Sequence, residues 1–86
     1  MNFIIEENRI YLPDEMGNTI AEITFKEIEK GVYNIDHTFV DETLRGQGIA
    51  SKLVELAVEK IKTKGCKVEA TCFYAKRWIE NHKEAE

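Results

Sequence analysis

Proline, glycine, cysteine and aromatic residues are all scarce in this 86-residue sequence, and each shortage removes a class of protein. One proline and five glycines leave no room for a collagen-like repeat or a Pro/Gly-rich linker, and no low-complexity tract interrupts the chain. Two cysteines, Cys66 and Cys72, are too few for a disulfide framework. On one expected strand, at ~3.3 Å per residue, they stand about 20 Å apart, beyond the reach of a bridge. His37 and His82 do not fall at metal-ligand spacing with either thiol, so no metal site is expected. With no apolar run long enough to span a bilayer and no leader, the expected location is cytoplasmic, with free thiols and no membrane partner. A basic surplus is missing as well. The formal charge of −4 argues against a nucleic-acid partner.

What the chain does hold is 43% hydrophobic and 33% charged residues, enough for one core and too short a length for two. The expectation is one domain over 1–86. Its charge is uneven. Residues 1–43 carry three Lys/Arg against ten Asp/Glu, and residues 44–86 carry nine against six. An anionic ligand therefore belongs on the second half, although the same lysines also suit the solvated face and last turn of a helix.

The first half reads as strands. Phe3 to Glu6 and Arg9 to Leu12 are short β-type runs, and Pro13 to Asn18 is a turn cluster. Ala21, Ile23 and Phe25 then alternate with Glu22, Thr24 and Lys26, the mark of a half-buried strand. After a tight connection at Glu29 to Gly31 the chain returns through Val32 to Val40, where strict alternation places Tyr33, Ile35, His37 and Phe39 on one face and Asp36 on the other. From Gly48 to Lys64 the period changes: Ile49, Ala50, Leu53, Val54, Ala57, Val58 and Ile61 recur at three- and four-residue steps, an amphipathic helix that Gly65 ends. A strand at 67–72 and a short helix from about Tyr74 to His82 follow. The expected class is α+β, a mostly antiparallel sheet with one β-helix-β crossover and a C-terminal short helix. The loop feeding the crossover helix is where a ligand is expected.

That loop reads Val40-Asp41-Glu42-Thr43-Leu44-Arg45-Gly46-Gln47-Gly48-Ile49-Ala50. Closely spaced glycines ahead of a helix let backbone N–H groups approach a phosphate, and the first helical turn adds unpaired donors and the positive end of its dipole. Glycines can also simply close a tight connection. The pattern is neither a Walker loop nor a dinucleotide fingerprint.

Arg45, Gly48 and Ala50 meet the pattern Gln/Arg-x-x-Gly-x-Gly/Ala, set between a strand ending Phe39-Val40 and a helix carrying Leu53 and Val54. This resembles the acyl-CoA signature of the GNAT superfamily of N-acetyltransferases. The order of elements extends the resemblance over roughly 19–82. It is most similar to small stand-alone members, with which the chain shares Asp36-His37-Thr38 before the signature and Thr71-Cys72 with an aromatic pair after it. The resemblance implies a GNAT-like fold and acetyl-CoA as co-substrate. It implies that Arg45, Gly46, Gln47, Gly48, Ile49 and Ala50 hold the pyrophosphate and that Phe39 and Val40 pair with the pantetheine arm. It also implies that Cys72, Tyr74 and Lys76 lie near the far side of that arm.

The resemblance further implies acetyl transfer to an amine, either a small amine or a protein lysine or N-terminus. Larger members carry elements before the meander and after the last helix that wall the acceptor pocket. The counterpart here would be open, or completed by a second subunit or a bulky acceptor, with a monomer or weak homodimer expected. A tyrosine that protonates the thiolate in many members aligns with Ile79, leaving Tyr74 as its substitute. His37 and Glu42 are the candidate general bases. Cys72, at a strand end before a helix, is a candidate nucleophile or a thiol against the CoA sulfur. Each has a plain alternative: His37 packed on an apolar face, Cys72 a small core residue. Lys52, Lys76 and Arg77 could meet phosphates or merely solvent. Two other functions stay open, a binding module that retains the cofactor without turnover and a small interaction protein whose glycines only close a turn.

Overall fold

The computed structural model describes residues 2–82. Strands β1 (Ile4–Ile5), β2 (Arg9–Pro13), β3 (Thr19–Glu29) and β4 (Val32–Val40) form an antiparallel meander. A 3-10 turn at Glu42–Leu44 leads to helix α1 (Ile49–Thr63), which crosses to strand β5 (Lys67–Ala70), and helix α2 (Phe73–Asn81) follows. β5 runs parallel to β4, so the sheet order is β1-β2-β3-β4-β5 with one crossover, the expected α+β arrangement. Among the described residues no helix is long and apolar enough to cross a membrane.

Helix α1 forms because its apolar stripe has somewhere to go. Ile49, Leu53, Val54, Ala57 and Ile61 are buried against Ile10, Ile23, Phe25 and Ile35 of the sheet. Each of the Val, Leu, Ile and Phe side chains among them contributes about 1.5–3 kcal/mol on leaving water. The helix stops in a Schellman arrangement, with the Cys66 N–H donating to Ile61 O and the Gly65 N–H to Lys62 O. Helix α2 packs on the same core through Ala75, and the Trp78 indole N–H donates to Ser51 Oγ at 2.8 Å, tying α2 to the first turn of α1. Both helices thus lie on one face of the sheet.

Strict alternation along β4 fails at one residue. Pairing with β3 runs Ile23 to Thr38 and Thr24 to His37, then shifts so that Phe25 faces Ile35. Asp36 is the extra residue, a β-bulge. Beyond it the faces exchange: Thr38 and Val40 join Ile35 on the helix side, while His37 and Phe39 turn to the opposite side and are exposed. The expectation that His37 and Phe39 share a face with Ile35 is corrected. So is the opposed placement of Asp36, whose carboxylate accepts from Thr24 Oγ1 at 2.6 Å on the same side as His37.

Candidate functional site

The segment between β4 and α1 is built from two devices. Asp41 caps the 3-10 turn, its carboxylate accepting from the amide and hydroxyl of Thr43. Those bonds, with the Arg45 charge nearby, hold the Asp41 carboxyl below its ordinary value. Gly48 is the N-cap residue of α1 and sits at φ 74°, a left-handed conformation that a β-branched residue would take only under strain. No side chain caps the helix. The first bond of α1 is Lys52 N–H to Gly48 O at 3.0 Å, so the amides from Gly46 to Ser51 take no acceptor among the described residues. These are orphan donors at the positive end of a 15-residue helix.

Beside this loop the sheet opens. β4 pairs with β5 only from Val32–Lys67 to Ile35–Ala70, and the amides of Thr71 and Cys72 converge on Ile35 O at 3.1 and 3.2 Å. Past that point β5 has ended, and among the described residues the second half of β4 has a strand partner on one edge only. The Asp41 N–H donates to Ile20 O, which sets the alternation. Phe39 and His37 bond across to β3, while the main-chain groups of Thr38 and Val40 point to the vacated edge. An extended chain could add there as a strand does.

Loop and edge enclose a cleft of about 350 Å³ lined by Thr38, Val40, Leu44, Arg45, Gly46, Gly48, Ile49, Ala50, Ser51 and Tyr74. Of the residues singled out in the sequence, the structure brings Val40, Arg45, Gly46, Gly48, Ile49, Ala50 and Tyr74 to it. Gln47 lies in the loop without lining the cleft. Phe39 is directed away by the bulge, and its main-chain groups are spent on Glu22. Glu42 is exposed on the 3-10 turn and His37 stands on the other face, with Nε2 3.9 Å from Glu22 Oε1. Lys76 lines a separate depression with Glu69 and Glu80. Cys72 is half-buried behind the lining, its thiol donating to Thr38 Oγ1 at 3.4 Å. Of the two other cations, Lys52 is held by Glu55 at 3.0 Å and the Arg77 guanidinium lies over the Phe73 ring. Arg45 is the cation on the cleft lining.

Three lining residues were given no role from sequence. Thr38 reaches the cleft only because Asp36 shifts the phase, Ser51 because it sits in the first turn of α1, and Leu44 from the last position of the 3-10 turn. The Asp36-His37-Thr38 run was visible in the sequence, but the side to which each residue points was not.

The family model described as GCN5-related N-acetyl-transferase matches residues 9–86 of this chain. A solution structure from Staphylococcus aureus, described as GCN5-like, is 35% identical, covers 96% of this chain and 81% of its own, and superposes with a TM-score of 0.80. Human Protein NATD1 is 26% identical over 62 residues, 72% of this chain and 55% of its own length. The chain thus spans just over half the length of the curated relatives it matches. The crystal structure of a NatC complex bound to Gag peptide and CoA superposes with a TM-score of 0.67 at 26% identity, covering 85% of this chain and 54% of that one.

Proposed function

This chain belongs to the GCN5-related N-acetyltransferase family, and from that premise we propose that it binds acetyl-CoA and transfers the acetyl group to an amine by direct attack in a ternary complex. One observation carries the reading: a run of unpartnered amides at the start of α1 beside an unpaired strand edge, in a single cleft. Neutral protein donors that face nothing else suit a diphosphate, and Arg45 adds a charge-assisted contact. The residues fit the group. Gly46 and Gly48 let the backbone approach it, and the cleft falls in the ~300–1,000 Å³ range of ligand pockets.

In the proposed reaction an extended arm pairs with the Thr38 and Val40 main chain, with Val40 retained from the sequence-based mapping and Thr38 taking the place of Phe39. An N–H on that edge faces the thioester carbonyl. Such a preorganised donor acts most strongly on the negative charge that develops on this oxygen in the transition state. The acceptor nitrogen, once deprotonated, forms the C–N bond while the C–S bond breaks. One proton passes to solvent and one to the departing thiolate, giving the free thiol. Tyr74 lines the same cleft and is the candidate proton donor. Cys72 acts through Thr38, holding its hydroxyl on the edge. The free cysteines suit a reducing, cytoplasmic location.

Isothermal titration with acetyl-CoA tests the reading, with micromolar affinity expected. Gly48→Val should weaken it by at least tenfold, because the side chain forces the loop out of its left-handed turn. No binding by the native protein removes the proposal. Binding without release of free thiol, whatever amine is supplied, would favour the non-catalytic module.

A further inference from the structure

The sheet ends on β5, whose outer edge lies away from the cleft. The Lys67 N–H donates to Gly31 O at 2.8 Å and the Thr71 N–H to Ile35 O at 3.1 Å, so the odd-numbered residues of β5 turn their main-chain groups to β4. Those of Val68 and Ala70 point outward and take no partner among the described residues. The side chains divide in the same way. Val68 and Ala70 are half-buried against the core on the helix side, and Lys67 and Glu69 are exposed on the other. Neither of these two charges has an ion-pair partner among the described residues. At the far end of the sheet, β1 is two residues long and offers a shorter edge.

We propose that the β5 edge is a docking surface for a second copy of this chain. The two β5 strands pair antiparallel about a two-fold axis at Val68, and the two sheets become one.

Charge decides the register. With Val68 facing Val68, the outward N–H and C=O of each bond those of the other. Lys67 of each copy then stands directly opposite Glu69 of its partner, which gives two cross-strand pairs of opposite sign on the solvent face. Sliding one copy by two residues is the smallest step that still sets outward groups against outward groups. In one direction that step places Lys67 against Lys67, and in the other Glu69 against Glu69. An unpaired edge strand usually carries charge that repels its like; here the signs alternate and attract. The flank fits a copy as well. Val68 and Ile79, both half-buried, line each of two depressions of about 380 and 320 Å³ at this edge, and the same pair from a second copy would cover them. A two-fold pairing uses the edge completely, so association stops at the dimer. Neither depression shares a lining residue with the glycine-loop cleft, so both clefts stay open and the proposal does not rest on the acetyl-CoA reading.

Sedimentation equilibrium and amide shifts followed against protein concentration test this. The paired edge is short beside a standard interface of ~1,600 Å², so a weak dimer is expected, with Kd on the order of 0.1–1 mM. Shifts that grow with concentration should map to 66–70 and 76–80. Lys67→Glu and Glu69→Lys each replace attraction by repulsion at both pairs and should weaken the dimer by about tenfold or more. Both positions are exposed, so melting temperatures should stay near native. Mixing the two variants sets an all-glutamate edge against an all-lysine edge and should restore association, as should the double exchange of Lys67→Glu with Glu69→Lys in one chain. A native chain that is monomeric up to about 2 mM overturns the inference and leaves the edge to an extended segment of another protein. Concentration-dependent shifts confined to β1 or the bare face, a dimer that ignores Lys67→Glu, or folded single variants that do not associate on mixing overturn it equally.

Discussion

Strand β4 is two strands in one. From Val32 to Ile35 it is paired on both edges and buried, with even Asn34 satisfied by donating to Thr71 Oγ1 at 2.9 Å. From His37 to Val40 it is paired on one edge and splits its side chains between a cleft and a bare face. One inserted residue, Asp36, separates the two behaviours. The lesson is that a fold can take stability and a binding edge from one continuous strand, provided that a bulge and an early end to the neighbouring strand coincide.

The sharpest way to break that comparison is to damage the first half. Ile35 is fully buried, so Ile35→Ala should cost about 2–5 kcal/mol, read as a lower urea midpoint. A cost below about 1 kcal/mol would mean that this half is not the anchor. The second half should respond in function instead. Phe39→Ala is expected to shift stability by less than about 1 kcal/mol and to leave acetyl-CoA affinity unchanged. Thr38→Val, which removes the partner of the Cys72 thiol in the cleft, should lower turnover several-fold. A large loss of cofactor affinity in Phe39→Ala would restore the unbroken alternation.

The smallest effect concerns the turn that delivers the loop. Asp41 has its folded-state value lowered by Thr43 and Arg45, so its contribution is present above the ordinary value of 3.8 and is lost as pH falls through the lower folded one. The Thr43 amide signal should follow that titration below about pH 4 and lose its pH dependence in Asp41→Asn. A Thr43 signal that ignores pH in the native protein would detach the turn from Asp41.

Much of this was legible without coordinates. The helix over Ile49–Thr63 follows from its three- and four-residue spacing and its terminal glycine. Strand β3 follows from its alternation, and the loop from its glycines. These are local signals, set by steric limits and by which side of a periodic element is apolar. Thr38 and the turning of His37 and Phe39 were not legible. A bulge depends on how two strands register across a sheet, and Val32–Val40 reads equally well as unbroken alternation.

The amino-acid order alone therefore determined the elements, their succession and the glycine loop at the mouth of α1, because each depends on neighbours within a few residues. Only the tertiary structure decided which face each residue beyond Asp36 presents, where β4 and β5 separate, and that the helices leave the opposite side of the sheet bare. Those outcomes arise from pairing and packing between segments far apart in the chain, where hydrogen-bond register and core filling override the local pattern.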